Sequence, residues 1–414
     1  MENKRIEKKL ILIFLFALLL RIGFIMMLDN TVDVWGDWWD ELGLKIAGGQ
    51  GFWVNNPYFK GGTPFYSWRP PGFPFFLAGI YSVFGHSYLA AKIGLALLSA
   101  LSCILLFFIA SDVFDSDKAG TWCAVIYAVY PPSIFWTGYL SPVTNEIFLM
   151  LLIVLLILKW GKNKRSICLI AAGFFTGAAV LTRSNFLVLI PAAALFLLVK
   201  YRKFLWKGLA LYLLAGLITL APWIIRNYRI HKTFVLTSTE GGVVCYIANN
   251  KVALSLPTGY LDPVDIEGTY VMDDISGLSE VRIDRYFYRE ALVFIRNNPA
   301  AYLRLVKDRF FRFWKLSPHT FSGPGESYKS YHVKIAFLTN LPVFILAMAG
   351  FLFSLKRWRD FSFFYLLVIF WSVPIILLFK TIIRYREPLM PFIIIFAYLT
   401  IHSVLNRFRR KNAA

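Results

Sequence analysis

Apolar runs of spanning length recur along this chain, and every second gap between them is short and crowded with lysine and arginine. A helix needs about 20 apolar residues to cross the hydrocarbon core of a bilayer. Ten such spans are predicted, at 9–28, 88–111, 119–138, 144–160, 166–182, 184–200, 207–225, 333–354, 360–379 and 388–406. The basic gaps hold Lys4, Arg5, Lys8 and Lys9; Lys159, Lys162, Lys164 and Arg165; Lys200, Arg202, Lys203 and Lys207; Lys356, Arg357 and Arg359; and Arg407, Arg409, Arg410 and Lys411. Basic residues concentrate on the cytoplasmic side of membrane proteins, so both termini are expected there. The gap 112–118 carries Asp112, Asp115 and Asp117 with only Lys118, and takes its side from its neighbours.

Composition agrees. Only 16% of residues are charged and 58% are hydrophobic, against about 25% charged in soluble domains. The formal charge of +20 is explained by the basic gaps, so nucleic acid is not an expected partner. The four cysteines and five histidines show neither disulfide nor metal-ligand spacing. No small-residue cleavage site follows Met26-Met27-Leu28, so the N-terminal apolar run reads as a retained first helix.

The expected fold is therefore an all-α polytopic membrane protein of about ten helices. Residues 1–225 form an N-terminal membrane module whose first outer loop is 29–87. Residues 226–332 form a small mixed outer segment, and 333–414 the C-terminal membrane helices. The apolar stretch from Pro70-Pro71-Gly72 to Phe84-Gly85 is too short to span, and reads as an interfacial or re-entrant helix. Residues 285–315 read as two helices broken at Asn297-Asn298-Pro299. The second sets Leu303, Val306, Phe310, Phe313 and Trp314 against Arg304, Lys307, Arg309, Arg312 and Lys315, as in a helix lying among headgroups.

Polar clusters gather at the outer ends of the spans. Asp37, Asp40 and Glu41 share one face if 36–47 is helical. Carboxylates near low dielectric have raised pKa values and suit a general base; three together also suit a divalent cation, though solvation or helix capping would explain them as well. Arg69 precedes Pro70-Pro71. Glu146 begins a spanning helix, where simple capping competes with a functional role. Arg183 follows Thr182 between two apolar runs, and Arg226 follows Pro222-Trp223. Arg384-Tyr385-Arg386 precedes Pro388 at the start of the last span. Two arginines at an outer end break the charge bias, and a guanidinium fork matches a phosphate; snorkelling to headgroups is the plainer alternative.

The order of these clusters resembles the lipid-dependent glycosyltransferases of the GT-C fold, and within them the protein O-mannosyltransferase-like group that includes the aminoarabinose transferases acting on lipid A. Six elements carry the resemblance. They are the acidic residues after the first span; Arg69-Pro70-Pro71 running on to Phe84-Gly85; Pro131 with Glu146; Thr182-Arg183; Pro222-Trp223 to Arg226-Asn227; and Arg384-Tyr385-Arg386 with Pro388. The resemblance implies an inverting sugar transfer from a polyprenyl-phosphate donor to an acceptor on the extracytoplasmic side of the cell membrane. It implies an aspartate base, Asp37 or Asp40. Arg384, Arg386, Arg69 and Arg183 are expected at the donor phosphate, with Glu41, Glu146, Arg226 and Tyr385 in supporting or acceptor-facing roles. The family's tyrosine one turn after the aspartate is replaced here by tryptophans and Leu44, which leaves both aspartates open. A protein hydroxyl, a lipid A-like glycolipid and a cell-wall glycan all remain open as acceptors. A secondary transporter, a glycan polymerase and a lipid-binding scaffold are the competing readings. A transporter would place its ionisable groups near the midplane.

Overall fold

The structure, a computed structural model, describes residues 2–31, 38–58, 62–201, 205–256, 274–318 and 328–411. The described part is helical; its one β pairing is an isolated antiparallel bridge between Val54 and Phe65. Helix α1 spans Glu2–Met26, α2 Trp39–Ala47, α3 Gly72–Phe84, α4 Tyr88–Phe114 and α5 Asp117–Ala128. The short α6 (Pro131–Phe135) leads to α7 (Val143–Asn163), α8 (Ser166–Thr182), α9 (Leu189–Tyr201) and α10 (Leu205–His231). In the outer segment lie α11 (Gly241–Ala248), α12 (Glu280–Asn297) and α13 (Pro299–Phe313). The chain then returns through α14 (Ser330–Ser354), α15 (Trp358–Leu378) and α16 (Met390–Lys411).

Among the described residues, seven apolar stretches are long enough to cross a bilayer, and one of them, 330–378, holds both α14 and α15. α3 and α8 are shorter apolar helices. One expected span differs. The run 119–138 is interrupted after α5, where Tyr130 is extended (φ −69°, ψ 112°). Tyr130 precedes Pro131, and the residue before a proline is driven out of the helical region.

Two close approaches hold the bundle. A Cβ on Gly173 of α8 would lie 2.1 Å from the Tyr212 carbonyl oxygen of α10, so the two backbones meet there as small-residue interfaces in membranes allow. Arg21 in α1 is fully buried. Its Nε donates to Ser99 Oγ (2.7 Å), its Nη1 to the Ala128 carbonyl (3.0 Å) and its Nη2 to Ser133 Oγ (2.9 Å). A charge at this depth is tolerable because oxygens from other helices replace water.

The bundle has two unlike ends. At one, the basic gaps meet: Lys162 Nζ lies 2.9 Å from Asp112 Oδ1, Lys200 Nζ 3.9 Å from Asp360 Oδ1, and Arg357 Nη2 donates to the Val113 carbonyl (3.3 Å). At the other, the two segments expected to lie outside pack together. Leu42, Phe52, Val54, Tyr58, Phe65 and Trp68 share one buried cluster with Trp223, Val243, Ile247, Ile283 and Phe287. Glu280 of α12 fastens it, accepting from the backbone N–H groups of Tyr66 (2.8 Å) and Ser67 (2.9 Å).

Candidate active site

A cavity of about 980 Å³ opens where these segments meet the bundle end. Its cations come from four separate places. Arg69 stands before α3, Arg183 just after α8, Lys380 just after α15, and Arg384 in the turn before α16. Helix ends bring them together: Pro142 at the start of α7 and Phe379 at the end of α15 also line the space.

The three arginines are held. The Arg69 guanidinium sits among three indoles, 5.1 Å from the ring centroid of Trp39, 5.3 Å from Trp38 and 5.8 Å from Trp68, and pairs with Glu240. Cation–π contact favours a desolvated guanidinium. Arg183 Nε lies 2.9 Å from Oε1 of the fully buried Glu146, and its guanidinium packs 4.8 Å from the Tyr385 ring centroid. Arg384 stands 5.6 Å from the same ring. Trp371 Nε1 donates to the Tyr385 carbonyl (2.7 Å) and so fixes the turn. Gly72 lets α3 approach this region: a Cβ there would lie 2.5 Å from Thr182 Oγ1 and 2.7 Å from Thr182 N.

Arg69, Arg183, Arg384 and Tyr385 therefore converge, with Glu146 behind Arg183. Arg386, Arg226, Asp40 and Glu41 do not line the cavity. Arg386 is fully buried elsewhere, donating from Nη1 to the carbonyls of Lys315 (2.6 Å) and Phe313 (3.3 Å), over the Phe344 ring. The physical reason is the 3-10 turn over Ile383–Tyr385. With about three residues per turn, positions two apart point to different sides. Arg226 serves as a clamp, donating to the carbonyls of Tyr66 (2.5 Å) and Phe52 (2.8 Å) and stacking on Trp223.

The acidic cluster also divides. Asp37 lies outside the described residues. Helix α2 starts only at Trp39, because Trp38 is left-handed (φ 60°), so the expected helix over 36–47 is shorter. Asp40 accepts from Tyr81 Oη (2.5 Å) and Tyr88 Oη (3.1 Å) and lies 2.9 Å from His86 Nε2, on the α3–α4 side. Glu41 pairs with Lys45 one turn on (2.6 Å). Asp40 and Glu41 thus face different partners, and among the described residues no group of three metal-ligating side chains gathers.

Three groups were not singled out from sequence. Lys380 carries a signal, since like Arg384 it places positive charge at a helix end expected to face away from the basic gaps. Glu240 precedes Gly241-Gly242 but has no pattern of its own. Arg309, expected on the basic face of a helix lying among headgroups, is instead 2% exposed. Near the cavity, burial pushes the Asp284 carboxyl up to about 7 even though the Gly242 N–H donates to it (2.6 Å). Burial also raises Glu280, against the hydrogen bonds from Thr239, Tyr66 and Ser67.

Residues 68–225 match the family described as dolichyl-phosphate-mannose-protein mannosyltransferase. No curated protein matches the sequence. Among solved structures, the chain is similar to the archaeal oligosaccharyltransferase AglB from Archaeoglobus fulgidus in complex with an inhibitory peptide and a dolichol-phosphate. The identity is 14%, and the match covers 100% of this chain and 52% of that one with a TM-score of 0.60. The chain has a GT-C fold. An apo crystal structure of the same A. fulgidus oligosaccharyltransferase agrees (TM-score 0.58, 14% identity, 99% of this chain and 51% of that one). ArnT from Cupriavidus metallidurans bound to undecaprenyl phosphate also matches (TM-score 0.46, 14% identity, 94% and 77%). This GT-C chain spans about half the length of the oligosaccharyltransferases it matches.

Proposed function

We propose that the protein is a membrane glycosyltransferase that moves a sugar from a polyprenyl-phosphate donor to an acceptor on the extracytoplasmic side. The observation that carries this reading is the convergence of Arg69, Arg183, Lys380 and Arg384 on one cavity at a bundle end. Four cations around one space suit a phosphate. The mannosyltransferase match over 68–225 and the dolichol-phosphate bound by the AglB structure point the same way. The cavity end lies opposite the basic gaps, which supports an extracytoplasmic site with both termini cytoplasmic.

In this reading Asp37 is the base. It immediately precedes Trp38, which lines the cavity, whereas the Asp40 oxygens already face Tyr81, His86 and Tyr88. An acceptor hydroxyl gives its proton to the Asp37 carboxylate as its oxygen bonds to the anomeric carbon. The bond from that carbon to the lipid phosphate breaks on the opposite face, so the sugar inverts. The phosphate leaves with the electron pair, and Arg183, Lys380 and Arg384 stabilise its growing charge. Binding of undecaprenyl phosphate to the purified full chain, followed by sugar transfer from a polyprenyl-phosphate sugar to envelope extracts, tests the proposal. Saturable binding with transfer is expected; absence of lipid phosphate binding overturns it.

A further inference from the structure

Helix α13 buries Arg309 together with Leu305 and Phe313. Leu303, Phe310 and Phe311 are exposed, whereas Arg309 is buried against the end of α15. Arg309 Nη1 donates to the Leu377 carbonyl (2.8 Å), Nη2 to Asn249 Oδ1 (2.8 Å) and Nε to the Leu305 carbonyl (3.2 Å). Tyr302 Oη, two turns earlier, donates to the same Leu377 carbonyl (3.2 Å), and Asn249 Nδ2 donates to that of Leu378 (2.8 Å).

Leu377 and Leu378 form the last turn of α15, whose carbonyls have no partner within the helix. Helices commonly close this end with a left-handed glycine. Here Phe379 is extended (φ −119°, ψ 163°) and Lys380 follows. Three side chains from two other helices supply the cap instead. The contact is returned: Thr381, 1% exposed, donates from Oγ1 to the Arg309 carbonyl (3.3 Å). The stretch 379–385, which carries Lys380 and Arg384 into the cavity, is thus pinned at its start by Arg309 and at its end by Trp371.

We propose that Arg309, with Asn249 and Tyr302, is a set of positioning residues that fixes Lys380 and Arg384 for anion binding while touching no ligand itself. This inference rests on the cavity being a lipid-phosphate site. Its particular claim is that the affinity of that site is set from α13, a helix outside the cavity lining. Loss of the clasp frees the α15 terminus, spreads the two cations over more positions, and weakens phosphate binding more than it weakens the fold.

The test is equilibrium binding of undecaprenyl phosphate to the purified full chain, measured beside thermal unfolding. Arg309→Met is expected to weaken binding about tenfold, the scale of lost hydrogen bonds to a charged group. Asn249→Ala should weaken it in the same direction. Asn249→Asp, which keeps the oxygen accepting from Nη2 but gives up the Nδ2 donor to the Leu378 carbonyl, should recover only part of that loss. Arg21→Met is the control: it empties an equally buried arginine site in α1, so it should lower the unfolding temperature and leave affinity unchanged. Wild-type affinity in Arg309→Met, or equal affinity losses in Arg309→Met and Arg21→Met, overturns the proposal. Should Arg309→Met not fold, Asn249→Ala with its Asp rescue decides alone. A wild-type protein that binds no undecaprenyl phosphate would instead remove the lipid-phosphate reading on which the clasp depends.

Discussion

Arg183 holds its Nε 2.9 Å from Oε1 of Glu146, a carboxylate with no exposure to solvent. The pair links the first turn of α7 to the end of α8 and presents the guanidinium to the cavity beside Tyr385. Removing one partner of a buried pair leaves the other charge without compensation, which costs about 3–5 kcal/mol. Arg183→Ala is therefore expected to lower stability on that scale and to abolish lipid-phosphate binding. Glu146→Gln should retain more stability yet weaken binding, because Arg183 loses the contact that aims it. Thermal unfolding and equilibrium binding on the two variants check both statements.

The aspartates should separate cleanly. Asp37→Asn is expected to abolish sugar transfer while lipid-phosphate binding stays near wild type. Asp40→Asn should keep measurable transfer and unfold at lower temperature, since its oxygens join α2 to Tyr81, His86 and Tyr88. Transfer assays with a polyprenyl-phosphate sugar decide the matter. An inactive Asp40→Asn beside an active Asp37→Asn moves the base to Asp40, and activity in both removes this cluster from the chemistry.

The two arginines flanking Tyr385 should behave differently despite their spacing. Arg384→Ala is expected to weaken lipid-phosphate binding about tenfold, as loss of a charge-assisted contact does. Arg386→Ala should act chiefly on stability, because Arg386 ties the final turn to the Phe313 and Lys315 carbonyls. Affinity lost in equal measure by both variants would contradict this division.

Much of this architecture is legible in the sequence, because bilayer thickness and charge bias act on composition alone. They place the spanning helices and put Arg69, Arg183 and Arg384 at one end. The helix from Gly72 and the break at Asn298-Pro299 follow from local rules, and the structure shows both. What escapes is direction and partnership. Nothing local distinguishes Arg384 from Arg386, which a 3-10 turn aims apart. Arg309 looks like its neighbours Lys307 and Arg312, yet long-range contacts to Leu377 and Asn249 take it inward. Glu240 gains its meaning only from Arg69, far away in the chain.

Stability should depend on pH through Asp284. Its carboxyl is pushed up to about 7 by burial, against about 3.9 for an unfolded aspartate. Between those values the folded state holds a proton that the unfolded state has lost, so stability falls as pH rises from about 4 to 7 and then levels. Asp284→Asn, which keeps an oxygen for the Gly242 N–H, is expected to flatten this slope and to raise the unfolding temperature at pH 8. Unfolding temperatures at pH 5, 6, 7 and 8 for both proteins are the measurement.

Gly72→Ala offers a steric test. The added methyl would meet the Thr182 backbone at 2.7 Å, so α3 and α8 must part, carrying Arg69 and Arg183 away from each other. Transfer should fall even where the variant remains folded, read as activity per folded molecule.

The shared cluster of Leu42, Phe52 and Trp68 with Val243, Ile283 and Phe287 makes the wall beside the cavity a single body assembled from two distant stretches of chain. Evolution therefore cannot retool one stretch in isolation. A lineage that rewrote 241–290 to greet a new acceptor would have to keep the seat on which Trp38 and Arg69 rest, and divergence in this region should come as paired changes across the seam.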